Sequence, residues 1–363
     1  MLVIPLEANA AAAIIHAWFP GAPIWVLAFV ITSALTITNL FSVKNYGEFE
    51  FWLALIKVCS IIAFIFLGCA AIFGFSLNPQ AGGISHLYAN EGFLPKGWGA
   101  VLAALLTTMF SFMGSEIVTI AATESKDPAQ QITRATNSVI WRIALFYLLS
   151  ILIVVCLVPW NDPRLVSMGS YQTVLESLNV PYAKLIVDII VLVSVTSCLN
   201  SALYTASRML FSLSKRGDAP RIAQVTNVSR TPVFAVLLST AMAFLCTFAN
   251  YLAPAEVFNF LLASSGAIAL LVYLVIAISQ LRMRQKLLAS GHQLTLKMWL
   301  FPWLTWAVIL FIVGALAIMM IRPDHRMEVV ATALLTIVVV CSGLLVSQRR
   351  KAQRAAGVIV DAA

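Results

Sequence analysis

Long apolar stretches alternate with short polar ones along the entire chain. The apolar runs cover residues 2–19, 23–42, 51–75, 98–122, 139–159, 183–207, 232–250, 256–279, 299–321 and 328–347. A hydrocarbon layer takes about 20 residues of helix to cross. Backbone groups in lipid must be bonded within their own segment, so each run predicts a helix. The alternating strands of about ten residues that build a membrane β-barrel are absent from the pattern. The predicted fold class is an all-α integral membrane protein of about ten transmembrane helices. Residues 1–347 form the membrane domain and residues 348–363 a tail.

Composition agrees with a lipid solvent. Of the 363 residues, 61% are hydrophobic and 10% charged, and the mean hydropathy is +0.94. A soluble chain carries roughly 25% charged residues. The net charge of +8 does not point to nucleic acid, because the basic residues are scattered between apolar runs rather than pooled in a stripe. Most of them fall in one set of alternate loops and the tail; the opposite set holds only Lys96, Arg164, Lys184, Arg322 and Arg326. The excess of Lys and Arg marks the cytoplasmic side, which predicts both termini inside. Trp18, Trp25, Trp52, Trp98, Trp141, Trp160 and Trp299 fall at run ends, where interfacial aromatics belong. The six cysteines lie inside apolar runs without CxxC spacing, so they read as small buried residues rather than disulfides or zinc ligands.

Ionisable residues inside a span cost roughly 2.5–3.5 kcal/mol each on insertion scales and are functional candidates. Glu116 and Lys57 each lie about six residues from the same side, or about 9 Å deep at 1.5 Å per residue. Two readings stand for Lys57: a functional cation, or a side chain snorkelling to the headgroups. Glu116 is shorter and reads as functional. Glu7 sits in the first run at a depth that the pattern does not fix. Asp188, near the outer end of its run, reads as a solvated or paired rim residue.

The stretch FSFMGSE, residues 110–116, places Ser111, Gly114 and Ser115 next to Glu116. Small residues of this kind either let helices pack closely or mark a helix that unwinds at a cavity, where freed carbonyls attract cations. Ser264-Ser265-Gly266 is a weaker second candidate. Ser194, Cys198, Ser201 and Thr205 recur on one helix face; they either bond neighbouring helices or wall a wet pathway. HExxH, GxGxxG and P-loop sequences are absent, and no nucleophile–base pair stands out, so neither an enzyme nor a cofactor or metal is predicted.

Several stretches resemble one family. NYGEFEFWLALIKV (45–58), FSFMGSEIVTIAATESKDP (110–128), ATNSVIWRI (135–143), SCLNSALYTASRMLFSLSKRGDAP (197–220) and SSGAIALLVYLVIAISQLRMR (264–284) resemble the amino acid–polyamine–organocation permeases. The similarity is to the bacterial amino acid transporter branch. LVIPLEAN (2–9) and SVKNYGEFEFWLALIKV (42–58) are similar to its 4-aminobutyrate (GABA) permeases.

That resemblance implies a leucine-transporter-like fold of two inverted five-helix repeats (5+5), with substrate held between two interrupted helices. It places the start of the chain inside the family's third span, so the expected fold is a truncated one. Residues 98–122 match the interrupted sixth span. The resemblance puts the substrate ammonium against carbonyls around Ser111, Phe112 and Met113, with Phe110 and Phe112 as aromatic gates and Gly114 shaping the break. Cys198 and Ser201 belong to the same expected site. Lys57 matches a lysine used in proton coupling, and Glu116 and Glu7 are its expected acidic counterparts. The implied activity is proton-coupled import of GABA through the bacterial inner membrane, with GABA, protons and lipid as partners. Two alternatives stay open: a permease for another amino acid, proline or an aromatic one, and a non-transporting fragment.

Overall fold

A computed structural model describes residues 3–41, 43–75, 84–88, 92, 94–112, 114, 127–227, 231–252, 254–291, 298, 300–321 and 323–355. Among them the structure is helical, with no β-strand beyond an isolated bridge between Thr226 and Pro232. The helices are α1 (Val3–Trp18), α2 (Ile24–Phe41), α3 (Val43–Ile72), α4 (Gly97–Ser111), α5 (Pro128–Ile143) and α6 (Leu149–Leu157). They continue with α7 (Arg164–Ser167), α8 (Ser170–Ser177), α9 (Ala183–Lys215), α10 (Val233–Leu252), α11 (Pro254–Ala289), α12 (Trp303–Ile321) and α13 (Pro323–Ala355). A π-helical turn, Ala144–Leu148, joins α5 to α6.

Among the described residues, six helical segments are long and apolar enough to cross a membrane: Ile24–Phe41, Gly47–Ile72, Gln130–Leu157, Ala183–Lys215, Ala267–Ala289 and Trp303–Ile321. Val3–Trp18, Val233–Leu245 and Val329–Leu345 are shorter apolar helices. Only 17% of the most apolar window of Gly47–Ile72 is buried within the protein. Phe66, Leu310 and Val338 are all more than 60% exposed. Large apolar side chains thus face outward, the reverse of a soluble core.

Small and polar residues share the interior with larger aliphatics such as Ile4, Leu199 and Leu203. On α1, Ile4, Ala8 and Ala12 recur every four residues and pack against Ala28 and Leu35 of α2, Leu199 and Leu203 of α9, and Ala243 of α10. Alanines at such contacts let backbones approach closely, where dispersion and hydrogen bonds replace the missing hydrophobic drive. Hydroxyls join the same contacts: Thr36 of α2 lies 3.2 Å from Thr240 of α10 and returns its proton to the Thr32 carbonyl at 2.7 Å. A second cluster packs Phe64 and Ala71 of α3 against Ile153 and Leu157 of α6 and Val174 and Leu175 of α8.

Polar anchors fix the ends. Asp127 caps α5, accepting from the Gln130 amide at 3.3 Å, with Pro128 in the first turn. Beyond α6, hydrogen bonds from Arg164 hold the Asp162 carboxyl below the ordinary aspartate range. The Lys96 amine lies 5.1 Å from the centre of the Trp160 ring, which ties the entry of α4 to the loop after α6. Asp188 is a paired rim residue: it bridges Lys184 at 3.4 Å and the Trp18 indole at 3.3 Å. α13 continues through Ala355, so the described part of the expected tail is helical.

Gly68 marks a close approach of α3 to α6. A Cβ there would collide with Cγ2 of Ile153, which is fully buried. Alanine ordinarily gains about 1 kcal/mol over glycine in a helix, but overpacking costs about 1–3 kcal/mol. Gly68→Ala therefore lowers the midpoint of thermal unfolding in detergent. Combined with Ile153→Ala it costs less than the sum of the two single changes; strict additivity would contradict this packing.

Candidate functional site

The α3 helix begins two turns before its apolar run, at Val43. Glu50, which the run excluded, therefore lies inside the helix and shares a face with Lys57, seven residues on. The Lys57 amine does not snorkel. It donates to Ser197 Oγ of α9 at 2.6 Å and lies 3.8 Å from Glu50 Oε1. Ser197 in turn donates to Glu50 Oε1. One hydroxyl thus stands between an ammonium and a carboxylate, accepting from the first and donating to the second.

The cluster continues through α9 to α2. Asn200 Nδ2 donates to Glu50 Oε2 at 3.4 Å. Asn39 Nδ2 donates to Asn200 Oδ1 at 2.8 Å and to the Leu35 carbonyl at 2.9 Å. Ser197, Asn200 and Asn39 are all buried. Each amide and hydroxyl is used, as burial requires.

The hydroxyl stripe lies on the adjoining face of α9. Ser194 returns its proton to the Ile190 carbonyl at 2.8 Å. Cys198 adjoins Glu7 of α1 and lies within electrostatic reach of Lys57, Glu50 and Tyr147. Ser201 is half-buried on the same face, and the buried Thr205 hydroxyl has no hydrogen-bond partner among the described residues. Glu7, Lys57 and Cys198 therefore come together, with Glu50 as a member that the apolar pattern missed. A cavity of about 660 Å³ opens beside them between α3, α8 and α9, lined by Lys57, Ser60, Phe64, Tyr171, Ile190 and Ser194.

The second part of the site is the end of α4. The helix stops at Ser111, Phe112 lies in a turn, and Gly114 has φ +100°, a conformation that glycine adopts at little cost. The last carbonyls of a helix lack intrahelical donors, and here tyrosines supply them. Tyr147 Oη donates to the Ser111 carbonyl at 3.0 Å. Tyr273 Oη of α11 donates to the Phe112 carbonyl at 3.3 Å. The Phe112 ring stacks on Tyr147, with centroids 5.6 Å apart and an interplanar angle of 17°.

Tyr147 sits on the π-helical turn. Ser150 Oγ donates to the Tyr147 carbonyl at 3.1 Å, and Tyr171 Oη donates to Ser150 Oγ at 3.3 Å. Phe110 belongs to α4, but its side chain lies outside the description; Met113, Ser115 and Glu116 lie outside the described residues altogether. The expected pairing of Glu116 with Lys57 is therefore not described, and Glu50 stands beside Lys57.

The sequence carried a signal for Glu50 in the seven-residue interval to Lys57. It carried one for Asn39 and Asn200 as amides within apolar runs. Tyr147 had none, because an aromatic in a span is ordinary and the π-turn has no sequence mark.

Removing one member of the charged cluster leaves the other unpaired. Glu50→Gln and Lys57→Met are each expected to cost about 1–3 kcal/mol, the scale of a hydrogen bond to a charged group. The double variant should lose less than their sum. Equal and additive losses in thermal unfolding would show that the pair is not coupled.

Sequence comparisons bear on what this arrangement serves. The family described as amino acid permease matches residues 1–356. The chain is 66% identical over 351 residues to the "Probable GABA permease" of Pseudomonas aeruginosa, covering 96% of this chain and 74% of that protein. It is 62% identical over 351 residues to the gamma-aminobutyric acid permease of Escherichia coli K12, covering 97% and 75%. It is 46% identical over 357 residues to the gamma-aminobutyric acid permease of Bacillus subtilis, covering 98% and 76%.

Proposed function

The chain belongs to the amino acid permease family, and from that membership we propose that it carries GABA inward across the bacterial inner membrane together with a proton. The proposed architecture is about ten transmembrane helices laid out on the family's 5+5 inverted-repeat plan, with residues 1–347 in the membrane and 348–363 as a tail. The Lys- and Arg-rich loops and both termini face the cytoplasm.

The observation that carries the coupling is the Lys57–Ser197–Glu50 line. GABA is a zwitterion without net charge, so a membrane potential alone cannot concentrate it. One co-transported proton contributes about 2.3 kcal/mol per 100 mV, enough for an approximately 50-fold gradient. In the line, Lys57 passes its proton to Ser197 as Ser197 passes its own to Glu50. The pair changes from ammonium and carboxylate to amine and carboxylic acid with no net loss of protons. A neutral pair is cheaper to hold away from water than an ionised one, so the state of the pair is sensitive to how wet its surroundings are. Glu7 and Cys198 adjoin the line from α1 and α9.

The substrate ammonium is assigned to the end of α4. In this assignment Ser111, Phe112 and Met113 supply the acceptors, Phe110 and Phe112 act as aromatic gates, Gly114 gives the turn, and Cys198 and Ser201 are further substrate-binding residues. Glu116, the expected second carboxylate, remains assigned to proton coupling alongside Lys57 and Glu7.

Proteoliposomes holding this chain should accumulate labelled GABA under an inward proton gradient, and a protonophore should abolish the accumulation. Excess unlabelled GABA should compete at lower concentration than proline or phenylalanine. Lys57→Ala should lose uphill accumulation at least tenfold while GABA/GABA exchange persists. Accumulation that ignores the gradient would sink the coupling, and undiminished uphill uptake by Lys57→Ala would remove Lys57 from it.

A further inference from the structure

Helix α4 ends at Ser111, and the carbonyls of Ser111 and of Phe112 just beyond it each accept a tyrosine hydroxyl. In a lipid-surrounded interior a free carbonyl must find a donor. We infer that Tyr147 is a placeholder for the substrate's ammonium: its hydroxyl occupies the position on the Ser111 carbonyl that a substrate N–H takes when it binds. The inference rests on the assignment of the ammonium to this helix end and adds a residue that sets specificity.

Three observations support it. The hydroxyl lies 3.0 Å from the carbonyl oxygen, the separation expected of an incoming ammonium donor. The Tyr147 ring stacks on Phe112, the next residue along the same backbone, so movement of the hydroxyl is tied to movement of the aromatic cover. Tyr147 is also carried on a π-turn rather than a regular α-turn. Such turns insert a residue, re-aim the side chains that they carry, and are frequent at functional sites.

The exchange has a favoured direction. The tyrosine is a neutral donor, whereas an ammonium makes charge-assisted bonds roughly twice as strong. A ligand with N–H groups on a cationic nitrogen displaces the hydroxyl; a ligand without them does not. The helix end therefore selects primary ammonium groups by competition against an internal donor, in addition to offering acceptors.

Tyr147→Phe removes the competitor and retains the ring. Equilibrium binding of labelled GABA to the purified protein in lipid nanodiscs should become about two- to tenfold tighter. The apparent KM for uptake should fall with it. 4-(Trimethylammonio)butyrate, whose nitrogen carries no N–H, should show no such gain as a competitor. A purely structural role would shift both ligands together. GABA affinity that is unchanged or weaker in Tyr147→Phe, or equal gains for both ligands, would overturn the inference while leaving GABA transport standing. A wild-type protein that neither binds nor carries GABA would remove the transport reading and this inference with it.

Discussion

Lipid offers no hydrogen bonds. Every polar group carried into the membrane must be satisfied by another part of the protein, and most of what is distinctive here follows from that demand. Thr36 bonds its own helix and Thr240. Asn39 bonds its own helix and Asn200. Lys57 finds Ser197 and Glu50. The carbonyls at the end of α4 find Tyr147 and Tyr273. The positions of these partners decide which helices lie together, so the polar residues direct the packing although they are few.

Small residues make that economy feasible. A side-chain hydrogen bond between helices needs backbones close enough for short side chains to meet. The Ala8 and Ala12 surface of α1 and the bare Gly68 position on α3 supply that closeness. Bulk is sent to the outside, where Phe66 and Leu310 meet lipid.

The all-helical membrane character was readable from the sequence because each run of apolar residues leaves a long trace, and the described part of each run carries a helix. The helix end at Ser111 was readable for a similar reason: Ser and Gly within an apolar run are conspicuous. The site was readable only in part. Glu50 fell outside its run because polar neighbours, Asn45 and Glu48, hid the fact that the helix had already begun. On α9 the hydroxyl stripe drew attention to Ser194 and Cys198, whereas the inter-helix bonds belong to Ser197 and Asn200 one face away. Periodicity identifies a face but not the neighbour that covers it. Tyr147 depends on a π-turn, and a turn that inserts one residue shifts the phase of every later position without changing composition.

The two contacts that α9 makes with Glu50 have a mechanical side. Ser197 and Asn200 both end on the same carboxylate, one on each oxygen, while Asn39 holds Asn200 from α2. Bonds to an ionised acceptor are roughly twice as strong as those to a neutral one. Protonating that single carboxyl softens both bonds that α9 donates to Glu50 and leaves the Lys57–Ser197 bond and the one between α2 and α9 in place. A chemical event on one carboxyl thereby changes how firmly α3 is held to α9.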